Sequence, residues 1–160
     1  MEIKTHITIN KSAIETWEVM GKQFANIHEW ASFFISSKPS GESKFEGINY
    51  AARETVVLNG ENTHTLDVFD NANHTLSYTV TAGAPPFADK ASAEWSLEST
   101  GENTCQASIT VFMELKEMVP AEKRTEVEMW LKKSSEEMLD DMKHYLETGN
   151  VHPRKANKNS

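Results

Sequence analysis

The stretch "ENTCQASITVFMEL", Glu102 to Leu115, sets small or apolar residues at Cys105, Ala107, Ile109, Val111, Met113 and Leu115. Between them lie Gln106, Ser108, Thr110 and Glu114, and only Phe112 breaks the alternation. A period of two over that length is a β-strand with one dry face and one wet face. The dry face needs a covering layer.

Upstream, four more runs read as strands of the same sheet. "ASAEWSLES" turns around Thr100-Gly101, which sets Leu97 against Cys105, Trp95 against Ala107 and Ala93 against Ile109. "ENTHTLDVFD" and "HTLSYTVTA" join through a three-residue loop at Asn71 to Asn73. That register places Leu66 opposite Tyr78, Val68 opposite Leu76 and His64 opposite Val80. Apolar then meets apolar, which is what fixes register in a half-buried sheet. By the same parity Phe69 and Phe112 fall on the outer face. "GINYAARETVVL" turns at Asn59-Gly60, a hairpin signal. A two-residue loop there turns Arg53, Thr55 and Val57 inward; a three-residue loop turns in Ala52, Glu54, Val56 and Leu58. A buried charge requires a partner or water, so either Arg53 or Glu54 marks a polar spot inside.

The two ends of the chain complete the layers. "IKTHITIN" is a first strand, followed by a short helix in "NKSAIETWEVM" with Ser12 and Glu15 spaced as a cap. A second short helix around "QFANIHEW" leads into the strand "SFFISS". After Pro120, Val127, Leu131, Ser134, Met138, Met142 and Tyr145 recur at spacings of three and four, giving one apolar stripe on a long helix that Gly149 stops. "SSEE" and "LDD" in that helix read as its solvated side. The order is strand, two short helices, about six antiparallel strands and a long helix. This is an α+β layer arrangement in which the long helix covers the dry face of the quoted strand.

Composition narrows the function. The 160 residues suit one domain, and no apolar run is long enough for a transmembrane helix. The formal net charge is −8 with no basic cluster in the body, so nucleic acid is not an expected partner. Cys105 is the single cysteine and sits on the dry face, which fits a buried thiol in a reducing, cytoplasmic setting. The six histidines are scattered without metal-ligand spacing, and no P-loop, GxGxxG or GxSxG occurs, so neither a metal nor a cofactor is expected. The basic ending "HPRKANKNS" reads as a frayed tail.

The element order, with "ITINKSAIETWEVM", "FANIHEW", "GINYAAR", "HTLSYTV", "AEWSLE" and the terminal helix, resembles the START-like (SRPBCC) superfamily. The likeness is to its polyketide cyclase/dehydrase and lipid-transport branch, and to the helix-grip fold of the major birch-pollen allergen. It covers about Glu2 to Glu147. The resemblance implies a seven-stranded antiparallel sheet wrapped around the C-terminal helix, as one domain over residues 1–148 with a flexible tail at 149–160. It also implies a cavity between sheet and helix for a small hydrophobic or amphipathic molecule, entered near "LNGEN", "TAGAPPFADK" and the start of the long helix. On that reading Trp30, Phe34, Arg53, His64, Leu66, Tyr78, Trp95, Ile109, Met113, Leu131 and Met138 line it. His64 is the one acid–base candidate for a cyclase or dehydratase reaction, with Arg53 or Tyr78 polarising a carbonyl. A third reading is a protein-interaction module or homodimer that uses Phe69 and Phe112.

Overall fold

In the computed structural model, which describes residues 1–158, the quoted stretch becomes strand β7 (Thr104–Leu115). The other strands are β1 (Glu2–Ile9), β2 (Phe34–Ser40), β3 (Ala52–Val57), β4 (Gly60–Asp70), β5 (Thr75–Ala82) and β6 (Ala88–Gly101). They form one antiparallel seven-stranded sheet in the order β1-β7-β6-β5-β4-β3-β2. The short helix α1 (Ala13–Trp17) is capped by Ser12, whose hydroxyl accepts from the Glu15 amide as the sequence spacing implies. A π-helical turn (Glu18–Lys22) and a 3-10 segment (Phe24–Glu29) follow. The long helix α2 (Ala121–Thr148) ends at Gly149, which takes a left-handed φ of 77°.

Helix α2 packs on β1 and β7, so the dry face of the quoted strand is covered as expected. Cys105 and Ala107 are fully buried and Ile109 nearly so. The 3-10 segment packs on β2 and β3 and closes the other half of the sheet. Its approach begins at Gly21, where a Cβ would lie 2.4 Å from the Trp17 ring. Only a residue without a side chain lets that indole lie against the backbone.

Three registers differ from the sequence expectation, each for a local reason. Between β4 and β5, Leu66 still pairs with Tyr78 and His64 with Val80 as expected, and only Val68 departs, meeting Ser77. Strands β6 and β7 pair Leu97 with Ala107 and Trp95 with Ile109, two residues away from the expected partners. The turn falls at Glu102-Asn103, and a slip of two leaves every side chain on its expected face. The β3–β4 hairpin turns at Leu58-Asn59, one residue early, because Val57 already pairs with Gly60. Between β4 and β5 the connection spans Asn71 to His74, and Asp70 ties it by accepting from the Ala72 and Asn73 amides. A β-bulge between Leu66 and Val68 then inserts one residue into β4. Beyond it the faces exchange: Phe69 is buried at 7% exposure and Val68 is turned out at 48%. The expectation that Phe69 lies outside is therefore overturned, while Phe112 is exposed as expected.

Two further readings are corrected. Asp141 and Ser135, assigned to the solvated side of the long helix, are both buried. The Asp141 carboxylate accepts from the Ser32 amide at 2.8 Å and from Arg154, so the charge is satisfied rather than wetted. The tail expected to fray forms helix α3 (Pro153–Lys158) instead. The Lys155 ammonium is buried and donates to the carbonyls of Ala31 and Phe34, at 3.2 and 3.0 Å. Residues 159–160 of that tail lie outside the described residues.

Candidate functional site

The alternation along β3 turns Arg53 and Thr55 inward and Glu54 outward, which decides between the two hairpin readings. Arg53 pairs across the ladder with His64 on β4, so both side chains enter the same inner face. The guanidinium is fully buried, and its Nε donates to His64 Nδ1 at 2.9 Å. Its Nη1 donates to the Phe24 carbonyl at 3.0 Å. Its Nη2 makes no well-aligned hydrogen bond, with the Tyr78 phenol beside the guanidinium as its one weak acceptor.

Aromatic rings surround this cation. The Arg53 Cζ lies 3.8 Å from the Phe24 centroid, 5.0 Å from Tyr78, 5.3 Å from Trp95 and 5.5 Å from Phe34. His64 stacks on Tyr78 at 4.7 Å with planes 13° apart, and Phe34 meets its edge at 6.1 Å. Five residues named from the sequence (Phe34, Arg53, His64, Tyr78 and Trp95) thus converge. The ring in closest contact, Phe24, was not among them. Its place in "QFANIHEW" marks it as apolar, but nothing local says that the 3-10 segment will lay it on β3.

The remaining named residues divide. Trp30, Leu66 and Ile109 share the core cluster that holds Phe24, Tyr78 and Trp95. Met113 and Leu131 belong to a second cluster with Ile3, Ala88, Ala91 and Val127. Met138 lines a small void of about 20 Å³ with Ala31, Ser32 and Asp141, room for about one water molecule. The expected mouth is occupied by its own residues: Phe87 packs on the second cluster, and its carbonyl accepts from the Lys116 amide. The space around Arg53 is filled by rings, so the open cavity that the resemblance implies is closed in this structure. A larger depression of about 450 Å³ lies over β2, β3 and β4, lined by polar residues that include Lys38, Glu54 and Thr63.

Electrostatics make the site unusual. Burial lowers the Arg53 pKa to about 10, opposed by Tyr78 and Tyr50, so the group keeps its charge at neutral pH. Among the described residues Arg53 makes no ion pair. An isolated charge taken from water costs several kcal/mol. Ring faces return about 2 kcal/mol when desolvated, so the cage offsets only part of that cost. Burial, and then the Arg53 charge, push the His64 pKa well below its ordinary value. The imidazole is neutral, and because Nδ1 accepts from Arg53 its proton sits on Nε2. Burial likewise raises the Tyr78 phenol, with Arg53 opposing. The buried Trp30 Nε1 also has no partner, and Trp95 Nε1 meets only the same Tyr78 oxygen off-line. Among the described residues no group of three or more His, Cys, Asp or Glu is arranged to hold a metal ion, and no helix is long and apolar enough to cross a membrane.

The fold recurs in solved structures. The Zhui aromatase/cyclase from Streptomyces sp. R1128 matches with a TM-score of 0.76 at 16% identity, over 95% of this chain and 99% of that one. A START superfamily protein from Mycobacterium smegmatis gives 0.75 at 12% identity, over 93% and 99%. Ara h 8.0201 gives 0.70 at 16% identity, over 92% and 98%. At these identities the likeness shows the helix-grip fold alone. A search of curated proteins finds no match. The family model described as polyketide cyclase / dehydrase and lipid transport matches residues 1–147, nearly the whole sheet-and-helix body, and the chain belongs to that family.

Proposed function

We propose that this protein binds a small apolar or amphipathic molecule between its sheet and α2, and that binding rather than turnover is its role. One observation carries the reading: among the described residues the buried Trp30 N–H has no partner, and Arg53 Nη2 and the Trp95 N–H share nothing better than the off-line Tyr78 phenol oxygen. Native interiors satisfy nearly all such groups, and an exception calls for a ligand or water to complete it. Covering about 300 Å² of apolar ligand surface contributes on the order of 7 kcal/mol before association costs. A guest needs room, which the segment from Glu18 to Glu29 can supply. It carries Phe24 and is built from π and 3-10 turns, with Asn26 off helical geometry.

The arrangement speaks against His64 as a general base. Its accepting nitrogen already holds the Arg53 Nε–H, and its basicity is depressed. Native mass spectrometry of the purified protein tests the reading, together with titration of a neutral environment-sensitive dye. The expected result is a bound guest, and a midpoint that weakens in Trp95→Ala or Tyr78→Ala. Turnover of a poly-β-ketone that disappears in His64→Ala would favour a cyclase instead.

A further inference from the structure

We propose that the guest carries an anionic head, a carboxylate being the simplest case, which docks on Arg53 Nη2. The inference rests on the binding role above and names the class of molecule that role serves. It begins from charge. Asp141 is the one buried carboxylate among the described residues, and the Ser32 amide and Arg154 already take it. Arg53 has a neutral imidazole, a carbonyl, the neutral Tyr78 phenol and four rings around it, and no negative group. A guanidinium presents its donors as a planar fork that matches a carboxylate. Here two edges of the fork are spent on His64 and Phe24, and Nη2 is left over.

The neighbourhood reinforces that polarity. Arg53 Cζ lies 5.3 Å from the Trp95 ring, whose own N–H has only the off-line Tyr78 oxygen beside it. The poorly satisfied groups beside the cage are donors, so they suit a guest with oxygen acceptors and reject an ammonium. In the closed molecule the Phe24 ring stacks on the guanidinium face, 3.8 Å from Cζ, and a head group reaching the Nη2 edge requires the segment that carries this ring to move aside. The rest of the guest would then lie against the apolar lining of the same cluster, Leu66 and Ile109 included.

Matched probes separate charge from greasiness. Calorimetric titration at neutral pH would use decanoate, decanol and decylamine, and then 2-naphthoate with 2-naphthol. The expected result is that each carboxylate binds at least about tenfold tighter than its alcohol, the size of a charge-assisted hydrogen bond, with the amine weakest. In Arg53→Met that preference should vanish, the acid-to-alcohol affinity ratio falling to about one whatever the absolute affinities become. Equal affinity for acid and alcohol, or a preference that survives in Arg53→Met, overturns the anionic head and leaves the binding role standing. Binding of none of the five probes removes both. The comparison of probes on the unaltered protein decides the matter even if the variant fails to fold.

Discussion

His64 accepts a hydrogen bond from a cation and is held neutral by burial, which ties one ring nitrogen to the pH dependence of the whole molecule. In the unfolded chain its pKa returns to about 6.5, so below that pH the unfolded state takes up a proton that the folded state refuses. Stability contributed this way is present above about pH 6.5 and lost as pH falls, by up to about 1.4 kcal/mol per pH unit. Urea unfolding between pH 7 and pH 5 should show that loss, and His64→Gln, which keeps an acceptor but does not titrate, should flatten it. An unchanged slope would mean that the folded protein admits the proton after all. Gly21 offers a steric counterpart. Placing a Cβ 2.4 Å from the buried Trp17 indole should cost about 1–3 kcal/mol in Gly21→Ala, read from the same unfolding curves.

At the scale of elements, α3 is joined to the body by side chains rather than by an apolar face. Arg154 reaches Asp140 and Asp141 on α2, and Lys155 reaches the carbonyls of Ala31 and Phe34. Asp141 in turn holds the Ser32 amide, so one buried carboxylate clamps α2, α3 and the approach to β2. Ending the chain at Gly149 should lower stability by about 1–3 kcal/mol, since Asp141 loses its cationic partner while staying buried. Asp141→Asn should then cost less in the shortened chain than in the full one, a coupling that a double-mutant cycle measures. Additive costs would show that α3 stabilises the body by some other contact. The sequence concealed this clamp because "LDD" lies in a charged run, where period alone assigns it to solvent. What buries Asp141 is a set of partners far away along the chain.

For the molecule as a whole, the sheet is continuous but its cover is made of unlike parts. Helix α2 is regular over 28 residues, whereas the cover over β2 and β3 is a π turn joined to a 3-10 turn. The hydrogen-bond geometry of such turns is poorer than that of an α-helix, although Met20, Phe24 and Ile27 of this segment are buried. Amides from Glu18 to Glu29 should therefore exchange with solvent faster than those of β6 and β7, and a bound guest should slow them selectively. Equal protection in the free protein would leave the interior without a route of entry. The order of elements and the inward set on β4 and β5 up to the bulge were legible in the sequence. The inward face of β3 stayed open between Arg53 and Glu54 until the turn at Leu58-Asn59 fixed it. The cage as a cage was not, because Phe24 and Arg53 meet through a turn geometry that no periodicity encodes.

By itself the sequence determined the strands, the inner faces of most of them and the long amphipathic helix. Alternation in periods of two and of three to four is a local record of which side of each element must leave water. Tertiary structure alone decided three things: the bulge that exchanged Phe69 for Val68, the burial of Asp141, and the docking of Lys155 against Ala31. Each depends on partners on other elements, 109 residues away for Ser32 and Asp141 and 124 for Ala31 and Lys155. Contacts of that reach are fixed by how whole layers fill space together, which no short window of residues contains.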